Sequence, residues 1–93
     1  MNDPDWRMRE LRDRIDALDE EIVALLNARA SCALEIGEIK KAAGLAIYQP
    51  GREKDVLDHV RRVNGGPLDG DAMMRLFERI IDEARRLERT VGK

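Results

Sequence analysis

Aromatic side chains are nearly missing from this 93-residue sequence, which has one Trp, one Tyr and one Phe. The formal net charge of −2 gives no electrostatic footprint for nucleic acid. A lone cysteine, Cys32, cannot form an internal disulfide, and a lone histidine, His59, with no cysteine pair offers no zinc-type ligand set. His59 reads as an ordinary helix residue. No apolar run is long enough to span a bilayer and no signal peptide opens the chain, so a reducing, cytoplasmic compartment is expected. Three prolines and seven glycines form no linker and no repeat, so residues 1–93 are expected to make a single domain.

What the sequence does contain suits helices. Charged residues make up 39% and apolar residues 43%, a balance that gives each helix one buried stripe and a solvated back. Apolar side chains at Met8, Leu11, Ile15, Leu18, Ile22, Leu25, Cys32, Ile36 and Ile39 follow steps of three and four, as in a heptad seam. No proline interrupts the run from Asp5 to Gly44. This predicts one helix from Trp6 to Ala43, about 55 Å long, started near Asp3 or Asp5 and stopped at Gly44. Such a helix is too long to pack on itself in a small globule and needs a partner along much of its length.

Pro50 suits the first turn of a second helix with a stripe of Val56, Leu57, Val60 and Val63, ended by Asn64-Gly65-Gly66-Pro67. Asp69 or Asp71 caps a third, whose stripe is Met73, Leu76, Phe77, Ile80, Ile81, Ala84 and Leu87. No segment alternates with period two, so the expected fold class is all-α: one long helix and two shorter ones, with no sheet.

The informative residues interrupt these stripes. Arg29 stands in the seam of the first helix. Lys40 lies eleven residues on, which at about 100° per residue returns to nearly the same face. Glu53 opens the second helix on the side of Val56, Leu57 and Val60, with Arg52 beside it, and Glu88 continues the line from Phe77 through Ile81 and Ala84. Each could snorkel from a seam edge or pair across an interface. Taken together, two cations and two carboxylates on apolar faces need partners or a ligand, because an isolated buried charge is costly. Converging cations with a carboxylate suit a small polyanion. Arg12 precedes Arg29 by seventeen residues, about 25 Å along one helix, so both can serve one small ligand only if Arg12 comes from an antiparallel partner chain.

The run Leu11-Arg12-Asp13-Arg14-Ile15-Asp16-Ala17-Leu18-Asp19, then Leu25-Leu26-Asn27-Ala28-Arg29 and Ile36-Gly37-Glu38-Ile39-Lys40, resembles the all-helical bacterial chorismate mutases. Pro50-Gly51-Arg52-Glu53-Lys54 and Leu76-Phe77-Glu78-Arg79-Ile80-Ile81 resemble the second and third helices of that family. The ordered set Arg12, Arg29, Lys40, Arg52-Glu53 and Glu88 is its specific part. The resemblance implies an intertwined helical homodimer. It also implies an isomerase that converts chorismate to prephenate for phenylalanine and tyrosine biosynthesis, with no cofactor and no metal. Because the substrate carries both reacting ends, the protein restrains it in a compact pose and stabilises charge on the breaking ether oxygen.

Carried over by position, Arg12 of the partner chain and Arg29 would clamp the two carboxylates, and Lys40 would meet a carboxylate and the ether oxygen. Glu53 would accept from the ring hydroxyl, which Gln49 would also meet. Arg52 would support the site from beside Glu53, and Glu88 would donate to the ether oxygen. Three positions depart from relatives. Gln49 stands where some have aspartate, Ala84 replaces a hydroxyl residue that helps hold a carboxylate, and Glu88 stands where glutamine is frequent; a carboxyl donates only when protonated. The alternatives are an isochorismate pyruvate lyase with the same clamp, a regulatory domain detached from a larger enzyme, and an inert helical dimerisation module.

Overall fold

The termini of the helices are set by short-range chemistry, and the computed structural model, which describes residues 3–91, places them close to the expected positions. The outermost residues of the expected 1–93 domain, Met1, Asn2, Gly92 and Lys93, lie outside the described residues. Helix α1 runs Pro4–Ala43 and begins two residues before the expected Trp6. The reason is local: Asp3 is extended and its carboxylate accepts the Asp5 N–H at 3.0 Å, and Pro4, with no N–H to lose, occupies the first turn. At the far end Gly44 takes the left-handed conformation, φ 68°, and the Leu45 N–H folds back onto the Lys40 carbonyl at 2.8 Å.

Helix α2, Pro50–Val63, opens on its proline with no side-chain cap; the Gln49 carbonyl accepts the Glu53 N–H at 3.1 Å. Asn64 organises the connection that follows, accepting from the Gly66 N–H at 3.1 Å and donating to the Leu68 carbonyl at 2.7 Å. Helix α3, Gly70–Glu88, is capped by Asp69, whose carboxylate accepts the Ala72 N–H at 2.7 Å. Of the two expected caps, Asp69 is the one used. The described residues hold these three helices and no strand, and no helix among them is long and apolar enough to cross a membrane.

Helix α3 packs against both α1 and α2, whereas α1 and α2 do not pack on each other. The core is thin: Ala33, Val60 and Ile81 are its buried apolar side chains, together with Gly37. Gly37 has a specific reason to lack a side chain, since a Cβ there would stand 3.1 Å from the Glu88 Cα and 3.1 Å from the Val91 methyl. The glycine lets the end of α3 lie directly on α1, carrying Glu88 with it.

Much of α1 is open to solvent. Every residue from 11 to 28 is exposed, including the seam residues Ile15, Leu18 and Ile22 at about half exposure and Leu25 at 69%. The molecule measures 63 × 27 × 15 Å, and its radius of gyration, 17.6 Å, exceeds the roughly 12 Å of a compact domain of this length. Val63 and Leu76, both assigned to apolar stripes by their spacing, are also exposed.

Candidate active site

The C-terminal half of α1, the start of α2 and the last turns of α3 enclose a solvent-open cavity of about 370 Å³. That volume lies in the range of small-ligand sites. Seven of the residues singled out from the sequence line it: Arg29 and Lys40 from α1, Gln49 from the connection, Arg52 and Glu53 from α2, and Ala84 and Glu88 from α3. Arg12 does not. It is exposed on α1, about 25 Å from Arg29 by helix rise, and this protomer cannot bring it to the cavity.

Lys40 and Glu88 meet in the lining of the cavity. Their 2.9 Å ion pair is nearly out of water, with side chains 11% and 10% exposed. Lys40 Nζ also donates to the Ile47 carbonyl at 2.9 Å. An ammonium has three N–H bonds, so one remains for a further acceptor. Glu88 is the buried acidic residue among the described ones, and its position follows from the Gly37 contact just described.

A second ion pair in the lining is organised by a residue the sequence reading passed over. Arg85 forks onto Glu53, with Nε to Oε2 at 3.1 Å and Nη2 to Oε1 at 2.8 Å. A second carboxylate, that of Asp82, lies 3.3 Å from Nη2, and the guanidinium sits 5.2 Å from the ring centre of Tyr48. The hydrogen bonds to Glu53 are the first cause that raises the Arg85 pKa further above the ordinary guanidinium value. Arg85 is four residues from Ile81, and that spacing on the buried stripe is the signal that could have found it. Its neighbours Asp82, Glu83 and Arg86 instead give the segment the look of a solvated face.

Arg29 and Arg52 reach the cavity with no ion-pair partner among the described residues, and Arg52 is exposed. The lining thus holds four cations, Arg29, Lys40, Arg52 and Arg85, against two carboxylates, Glu53 and Glu88, a surplus of two positive charges. Planar guanidinium forks and a point ammonium in that surplus suit a small molecule bearing two carboxylates. No group of His, Cys, Asp and Glu among the described residues is arranged to hold a metal ion. Cys32 is a free thiol at the exposed rim.

Fold and cavity together define a class: an all-α protein with a cationic, acid-containing site at a three-helix junction. The chain belongs to the chorismate mutase type II family, whose profile matches residues 11–89. It is 42% identical over 87 residues to a bifunctional chorismate mutase/prephenate dehydratase of Stutzerimonas stutzeri, an alignment covering 88% of this chain and 24% of that protein. The chain spans about a quarter of the length of the bifunctional relatives it matches. Among solved structures it resembles a chorismate mutase of Thermus thermophilus, with a TM-score of 0.90, 31% identity, and 94% of this chain and 99% of that one covered. It also resembles the Helicobacter pylori chorismate mutase in complex with prephenate, with a TM-score of 0.82, 30% identity, and 89% and 90% of the two chains covered.

Proposed function

We propose that this chain is a chorismate mutase, converting chorismate to prephenate by an intramolecular rearrangement in a cytoplasmic aromatic amino-acid pathway, and that residues 1–93 form one domain for that task. The observation that carries the reading is the cavity, where residues chosen from three separate helices line one space with two surplus positive charges. In the rearrangement the ether carbon–oxygen bond breaks as a carbon–carbon bond forms within the same molecule, so no atom enters or leaves. Catalysis then comes from fixing a flexible dianion in its reactive pose and from charge stabilisation at the ether oxygen.

In this reading Arg29 grips one carboxylate. Lys40 directs its remaining N–H to the substrate, within reach of a carboxylate and the ether oxygen. Glu53 accepts the ring hydroxyl beside Gln49, and Arg52 adds positive charge at the entrance. Glu88 donates to the ether oxygen through one carboxyl oxygen when that oxygen carries a proton, while its other oxygen accepts from Lys40. Ala84 provides no hydroxyl, so the cations carry the carboxylate recognition.

The second carboxylate falls to Arg12 of a partner protomer, because the active form is an intertwined homodimer. Three observations support this. The apolar seam of α1 is exposed over residues 11–28. The chain is far more extended than a compact domain. Its accessible surface, 7449 Å², exceeds by about 2,000 Å² that of a compact monomer of its mass. Burying that excess on each protomer gives an interface of the size obligate dimers use.

The test is direct: chorismate absorbance falls when the purified protein is added, and prephenate appears in equal amount. Isochorismate supplied in parallel separates a lyase, which would release pyruvate. A protein that leaves chorismate unchanged refutes the reading.

A further inference from the structure

A carboxylate in a cavity built for a dianion is a liability. Glu53 lines the cavity, and any ligand carboxylate held by Arg29 or Arg52 shares that space with it. Left alone, Glu53 would repel the ligand. It is not left alone: Arg85 engages both of its oxygens through a planar fork, at 3.1 and 2.8 Å. Arg85 is itself held from two further sides, by Asp82 at 3.3 Å and by the face of Tyr48 at 5.2 Å. The cluster ties the α1–α2 connection, the first turn of α2 and the last turns of α3 at one wall, and both members of the pair are about three-quarters buried. Each carboxylate oxygen has two lone pairs, so the fork leaves one free on each to meet a hydroxyl.

We infer that Arg85 is the positioning residue of this site: it fixes and neutralises the Glu53 carboxylate, so that the cavity offers a hydroxyl acceptor while keeping the two surplus positive charges a dicarboxylate requires. The inference rests on the mutase reading and assigns Arg85 no contact with substrate. Arg29 and Arg52 attract the ligand; Arg85 acts through Glu53.

The test is a four-member set: wild type, Arg85→Gln, Glu53→Gln and the double variant. Binding of prephenate is measured by calorimetry, thermal unfolding is followed for each, and chorismate turnover is measured for wild type. Arg85→Gln strands an unneutralised carboxylate in the site and should weaken prephenate binding about tenfold or more. The double variant restores both the surplus charge and a neutral, hydrogen-bonding amide pair. It should therefore bind prephenate severalfold more tightly than Arg85→Gln, although it also lacks the Glu53 carboxylate that meets the hydroxyl. A role confined to stability predicts a lowered Tm with unchanged binding, and a direct ligand contact predicts a double variant as weak as Arg85→Gln. Either result overturns the inference. A wild-type chain that neither consumes chorismate nor binds prephenate sinks the mutase reading, and this assignment with it. An active wild type without rescue in the double variant sinks the assignment alone.

Discussion

If each site draws Arg29 from one chain and Arg12 from the other, two crippled chains can repair each other. The separation that motivates this is fixed by α1 itself: seventeen residues of unbroken helix hold the two Cα atoms about 25 Å apart, several times what an arginine side chain bridges. Arg12→Ala and Arg29→Ala each remove a charge-assisted fork, and each alone should lose about two orders of magnitude or more in kcat/KM. In a mixed dimer both lesions fall in one site: the chain carrying Arg12→Ala keeps Arg29, its partner keeps Arg12, and the other site is doubly damaged. Equal mixing with random exchange makes half of the dimers mixed, each with one intact site, so activity should recover to about a quarter of wild type. The assay is chorismate consumption before and after subunit exchange, with exchange verified by mass-tagged chains. The Arg12→Ala/Arg29→Ala double variant is the control, since mixing it with either parent leaves every site damaged. Mixtures that exchange fully yet show only the summed activity of the parents would refute the shared site, and with it the assignment of Arg12.

Three further outcomes concern the Lys40–Glu88 pair and the glycine beneath it. If Lys40 faces the developing negative charge, Lys40→Ala should lower kcat by roughly two orders of magnitude or more; a change confined to KM would show that Lys40 serves only to bind a carboxylate. If Glu88 donates to the ether oxygen, Glu88→Ala should lower kcat/KM by roughly two orders of magnitude, the loss seen when one such donor is removed. Glu88→Gln, a permanent donor of nearly the same shape, should keep substantial activity, and equal losses in the two variants would exclude Glu88 as the donor. Gly37→Ala puts a methyl 3.1 Å from the backbone of Glu88, so the end of α3 must shift by a few tenths of an ångström. The overpacking, about 1–3 kcal/mol, is offset by about 1 kcal/mol of helix propensity. Stability should therefore drop only modestly while kcat drops severalfold as the Lys40–Glu88 geometry is disturbed. Unchanged kcat would show that the close approach matters only for packing.

The helices were legible because their boundaries are written in neighbouring residues. Asp3 with Pro4, Gly44, Pro50 and Asp69 act within one turn of where they stand, and no distant contact is needed to interpret them. The interruptions at Arg29, Lys40, Glu53 and Glu88 were legible too, since a charge on an apolar stripe is visible wherever the stripe goes. Arg85 was not. In its own helix it is flanked by Asp82, Glu83 and Arg86, and only the return of α3 onto α2 brings it to Glu53, thirty-two residues away. Leu76 and Val63 mark the converse: spacing placed them on apolar stripes, but the two-sided packing of α3 does not extend to them in this protomer.

From sequence alone came the all-α class, the lengths of the three helices, and the argument that α1 needs a second chain, because periodicity, caps and helix rise are properties of consecutive residues. Pairing belonged to the tertiary structure. That Lys40 closes on Glu88, that Arg85 rather than Arg52 holds Glu53, and that Gly37 exists to let α3 press on α1 all depend on α3 lying in contact with both other helices. Opposite charges on different helices have many possible partners in a one-dimensional reading. Which of them meet is settled by the approach of backbones, and here a single glycine sets that approach beside Glu88.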